Sequence, residues 1–132
     1  EAQRPHSCQR NNGVRRTVMK KDMLFFVDDM LDAITRVEQY ISDTSEEEFS
    51  RDTEKQDAVI RRLMIIGEAA AHVPEDIRIL SPKTQWRAIV AFRNVAIHEY
   101  SGVSLGRVWE IVQQELPILK AQLLALRKTI ST

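Results

Sequence analysis

One cysteine (Cys8), four glycines, four prolines and eight aromatics are spread over 132 residues, and the formal charges sum to zero. A lone cysteine forms no intrachain disulfide, so the reducing cytoplasm is the expected compartment. No apolar run approaches the ~18 residues a membrane span requires, and no signal peptide is visible. β-Branched residues alternate over no stretch of strand length, which argues against sheet. Zero net charge excludes a globally basic nucleic-acid binder. The balance is uneven, however: residues 1–18 hold four arginines and one glutamate, so the remaining fifteen basic and eighteen acidic residues net −3. Any RNA site must then be a local cluster. The 132 residues are 43% hydrophobic and 29% charged, the composition of one helix-leaning domain with a core of its own.

Residues 1–18 mix Arg, Asn, Gly and Pro without periodicity. They read as a disordered or cloning-derived basic tail ahead of a natural start at Met19, with an RNA-touching arm as the alternative. Residues 19–132 form the domain. Leu24, Val27, Leu31, Ile34, Val37 and Ile41 recur at helical spacing from Asp22, and Phe25 and Met30 widen the stripe. Ser45 and Glu48 have capping-box spacing, and a second long helix is expected from Asp52 to Ala70. Gly67 there costs about 1 kcal/mol against Ala, so a packing reason is expected. Pro74 suits the first position of a short helix to Leu80. A third long helix runs from Gln85 to about Glu99, with Trp86, Ile89, Val90 and Val95 toward the core. A last helix spans Leu105 to Lys128, kinked near 113–116 by Pro117. The expected fold is all-α: an antiparallel up-and-down bundle of four long helices plus one short one.

Chemistry concentrates in Arg93-Asn94-Val95-Ala96-Ile97-His98-Glu99-Tyr100. Histidine exchanges protons near neutral pH, and arginine offers a permanent charge in a fork that fits phosphate. Together they suit phosphodiester cleavage, with His98 as general acid or base and Arg93 as phosphate clamp. RNA supplies its own nucleophile, the 2′-hydroxyl, so neither a metal nor another cofactor is required. Glu68 and His72 lie four apart on one helix face but lack the second pair of ligands a metal site needs. On an ideal helix Arg93 and His98 stand about 140° apart and share no stripe. Either the helix distorts near Ser101-Gly102 or a twofold homodimer brings both pairs to one cleft.

Arg-x4-His alone is common by chance, but Arg-Asn-x3-His-x-Tyr is specific. The octapeptide resembles the His-x-Tyr variant of the Arg-x4–6-His motif of HepT-like toxins within the HEPN superfamily. Ile66-Gly67-Glu68-Ala69, Trp86, Val108-Trp109 and Leu116-Pro117 resemble further blocks of that family, and the likeness runs from about Lys20 to Leu126. The resemblance implies a helical homodimer that cleaves RNA without metal as the toxin of a toxin–antitoxin pair. It implies Arg93 and His98 as catalytic residues, Asn94 and Glu68 as supporting or substrate-binding residues, and Tyr100 as the acceptor of AMP. By the same resemblance the AMP is expected from the antitoxin, a minimal nucleotidyltransferase (MntA). AMP on Tyr100, two residues from His98, adds bulk and negative charge where an RNA phosphate must sit. The alternative reading is a non-catalytic helical module that docks a nucleotidyltransferase or a nucleotide.

Overall fold

The structure is a computed structural model in which residues 12–95 and 105–131 are described, with side chains from Asp22 onward. The described residues form helices joined by short turns, without strand. They are α1 (Asn12–Ile41), α2 (Glu46–Arg51), α3 (Thr53–Ala71), α4 (Glu75–Arg78), α5 (Trp86–Val90), a 3₁₀ turn (Ala91–Asn94), α6 (Leu105–Glu110), a π turn (Ile111–Glu115) and α7 (Leu116–Ser131).

α1 is the central element and packs against α3 and α7. Its inner face is Met23, Val27, Met30, Ile34 and Val37, all buried. That stripe is rotated from the one the sequence suggests. Leu24, Leu31 and Ile41 sit at its margin, and Phe25, expected to widen it, is 62% exposed. The helix also begins well ahead of Asp22, because apolar periodicity reports only the segment that faces the core. Val59, Leu63, Ile66 and Ala70 of α3 and Leu119, Leu123, Leu126 and Ile130 of α7 complete the core.

Local signals set several boundaries. The capping box at α2 is fully formed: the Glu48 amide donates to Ser45 Oγ at 3.1 Å and the Ser45 amide donates to Glu48 Oε1 at 2.9 Å. Asp52 caps α3 by accepting from the Lys55 amide at 3.0 Å. Pro74 is the N-cap residue of α4, one position before the expected place, and α4 is a single turn. Arg78 returns from α4 to the end of α3. Its Nε donates to the Val73 carbonyl at 2.8 Å and its Nη2 to the Ala70 carbonyl at 3.0 Å, the latter also accepting from the Val73 amide at 3.1 Å. The same guanidinium lies 5.7 Å from the Trp86 ring centroid. Trp109 packs against Phe49, with centroids 5.3 Å apart.

The distortion at Pro117 falls where its chemistry requires. Proline lacks an N–H and its ring crowds the carbonyl four residues earlier, that of Gln113. The chain answers with the π turn, in which the Leu116 amide reaches back to the Ile111 carbonyl. Arg107 spans this turn, pairing with both Glu110 and Glu115. The hydrogen bond to Glu115 is the main reason the guanidinium is held above its ordinary value.

Candidate functional site

The segment that carries Arg93 departs from the expected continuous helix. After Val90 the α-helix tightens into the 3₁₀ turn Ala91–Asn94, and the Val95 amide bonds to the Phe92 carbonyl. A 3₁₀ turn advances about 20° more per residue than an α-helix, so it resets the direction in which Arg93 projects. The break begins two residues ahead of the motif and includes Arg93 and Asn94, whereas the sequence placed a distortion after it at Ser101-Gly102, which lies outside the described residues.

Gly67 accounts for how closely this turn is held. A Cβ at Gly67 would meet the Arg93 amide nitrogen at 2.5 Å, the Val90 carbonyl oxygen at 3.0 Å and the Ile89 carbonyl oxygen at 3.1 Å. All three are backbone atoms that no side-chain rotation can move away. Glycine thus lets α3 lie directly against the backbone that bears Arg93. From the other side Phe92 and Val95, both buried, anchor the turn in the core. With those two directed inward, Arg93 and Asn94 are left at the surface.

The next residue of α3, Glu68, faces Arg93, with Oε2 3.9 Å from Nη1. Its other oxygen lies 3.7 Å from Nε2 of His72, one helical turn further on. All three side chains are about half or more exposed, at 44% for Arg93, 61% for Glu68 and 55% for His72. Among the described residues no hydrogen bond takes the donors of the Arg93 guanidinium, which remains open to an anionic ligand. Asn94 is exposed beside it.

Two of the expected site residues, Arg93 and Glu68, are therefore brought together. His98 and Tyr100 lie outside the described residues. The structure adds two side chains. His72, which the sequence offered only as half of a metal pair, stacks on Phe26 of α1, with centroids 4.9 Å apart and planes 15° from parallel. Its four-residue spacing from Glu68 was a readable sign of contact. The contact with Phe26 joins two different helices and had no local signal. Two surface hollows, of about 480 and 290 Å³, lie beside α5 and include none of these residues.

An all-helical domain that holds an arginine open on a tightened turn beside a carboxylate is the setting in which comparison with known proteins becomes informative. Residues 30–126 match the family model described as ribonuclease HepT-like. The chain belongs to the HepT-like ribonuclease family. It is 36% identical over 110 residues to a protein of Thermococcus cleftensis named a probable ribonuclease HepT, covering 83% of this chain and all of that protein. It is 35% identical over 112 residues to a Methanocaldococcus jannaschii protein named a gamma-glutamylcyclotransferase and "putative RNase"; the match covers 85% of this chain but spans only half the length of that relative. Another M. jannaschii protein, carrying the same RNase name alone, is 34% identical over 103 residues, covering 78% of this chain and 94% of its own. Ribonuclease is the activity these names share. No solved structure matches the chain at a significant level.

Proposed function

We propose that this protein is a metal-independent endoribonuclease, the toxin of a toxin–antitoxin pair, working as a homodimer of antiparallel helical bundles. The observation that carries the reading is Arg93. It is open to solvent and fixed by the close approach of α3, in a chain of the HepT-like family where His98 and Tyr100 follow at the spacing of that family's motif. Arg93 holds the scissile phosphate and offsets the charge that builds on its oxygens. The RNA 2′-oxygen attacks the adjacent phosphorus and the bond from phosphorus to the 5′-oxygen breaks, leaving a 2′,3′-cyclic phosphate and a free 5′-hydroxyl. One His98 takes the 2′-hydroxyl proton, and a second protonates the departing 5′-oxygen. A homodimer supplies both, and two arginines for one phosphate path. Glu68 orients Arg93, and Asn94 braces the site or touches RNA.

Control of the activity falls to Tyr100. A nucleotidyltransferase antitoxin of the MntA kind transfers AMP from ATP to its hydroxyl, releasing pyrophosphate and blocking the RNA path with bulk and charge. Expression of Arg93→Ala and His98→Ala in a bacterial host tests the assignment. Both variants lose toxicity and RNA cleavage while sedimenting as the wild-type dimer. Retained cleavage in either variant removes the assigned role.

A further inference from the structure

The row of rings next to Arg93 is not used by a phosphate clamp. Phe26 is half-buried against the core and carries the His72 imidazole on its face. Phe25 meets Phe26 edge-on, with centroids 5.7 Å apart and planes at 73°. His72 therefore rests on an anchored surface rather than swinging freely, and 55% of its side chain is exposed. Phe25 is 62% exposed on a helix whose other outward positions are largely charged or polar. Glu68 joins this row to Arg93, touching His72 with one oxygen and the guanidinium with the other.

Exposed rings beside an arginine suit an unpaired RNA strand, whose phosphate goes to the cation and whose bases stack on the rings. The charges nearby sharpen the assignment. Glu68 stands between His72 and Arg93. Glu68 repels a phosphate placed along the rings, whereas nucleobases are neutral. We propose that Phe25, Phe26 and His72 form a base-stacking subsite for single-stranded RNA, receiving the nucleotide next to the phosphate held by Arg93. The proposal rests on the ribonuclease reading and extends it to the form of the substrate.

Fluorescence anisotropy with a labelled 2′-O-methyl 12-mer of mixed sequence, which lacks the attacking hydroxyl, tests it against an abasic strand of the same length. His72→Ala and Phe25→Ala each weaken binding of the base-bearing strand about tenfold, within the range of base–aromatic stacking, and leave the abasic strand unaffected. His72→Phe restores binding, and Arg93→Ala weakens both strands. Unchanged affinity in His72→Ala and Phe25→Ala overturns the subsite while leaving the ribonuclease reading intact. Wild type that binds neither strand overturns both. Loss of RNA binding together with a changed sedimentation coefficient assigns the row to a protein contact and overturns the subsite.

Discussion

Arg93 and Glu68 face each other across 3.9 Å with both side chains about half exposed, so their ion pair contributes under about 1 kcal/mol to stability. Its proposed consequence is the orientation of Arg93. Arg78 is the contrasting case: half-buried, hydrogen-bonded to two carbonyls at the end of α3 and set over Trp86. Replacing it removes the side-chain donor from the Val73 carbonyl, while the Ala70 carbonyl keeps the Val73 amide. Arg78→Ala should lower unfolding free energy by about 1–3 kcal/mol in urea titrations, and Arg78→Lys should recover little of it, since one ammonium does not reproduce the fork. Glu48 titrates. The Ser45 amide, donating to its carboxylate, is the main cause of a value below its ordinary 4.5, with the Ser45 hydroxyl next. Because the folded value is the lower one, the stabilisation is present above pH 4.5 and is lost as pH falls below it through the folded value. Glu48→Gln keeps an acceptor for the cap but removes the titration, so the difference in unfolding midpoint between wild type and variant should shrink between pH 6 and 3. An unchanged difference over that range contradicts the assignment. The capping box was legible in the sequence because both partners lie within one turn; Arg78 was not, since its acceptors belong to another helix.

At the scale of elements, the same division between local and tertiary causes decides what the sequence discloses. Pro117 acts on its own helix through a missing donor, and the π turn at 111–115 overlaps the kink expected from it. The 3₁₀ turn at 91–94 has no comparable signature. Ala, Phe, Arg and Asn can all sit in an α-helix, and the tightening coincides with packing of α3 against the backbone at Gly67. Sequence did mark Gly67 as needing a packing reason, without naming the partner. Gly67→Ala poses two opposed effects. Helix propensity gains about 1 kcal/mol, whereas a methyl group forced to within 2.5 Å of the Arg93 amide and 3.0 Å of a carbonyl must separate the two segments. Overpacking of this kind costs about 1–3 kcal/mol, and here the atoms in the way are backbone. The variant should unfold about 1–2 kcal/mol more easily and lose RNA cleavage far more than that loss implies, because it displaces Arg93. A variant as active and as stable as wild type contradicts the close approach. The stripe on α1 shows a further limit: periodicity identified the helix and placed Val27, Met30, Ile34 and Val37 inside, but it set the edge of the inward face wrongly at Phe25, because Leu24, Phe25, Phe26 and Val27 form an apolar run broad enough to fit several rotations.

For the molecule as a whole, helical class and family were legible because apolar spacing and the Arg-Asn-x3-His-x-Tyr pattern are carried by the sequence itself, and the family match covers residues 30–126. Among the described residues, no helix is long and apolar enough to cross a membrane. Regulation is proposed to enter at Tyr100. Incubation with the cognate nucleotidyltransferase and ATP should add mass in AMP steps, seen by intact mass spectrometry, and Tyr100→Phe should abolish the gain; equal gain in that variant places the acceptor elsewhere. The central claim is cleavage by Arg93 and His98 without metal. Its most direct test is digestion of total RNA by unmodified protein in excess EDTA, wild type beside His98→Ala, with the product ends identified. The account predicts cleavage by wild type alone, leaving 2′,3′-cyclic phosphate ends. RNA left intact by the unmodified wild type, or cut equally by His98→Ala, would contradict it.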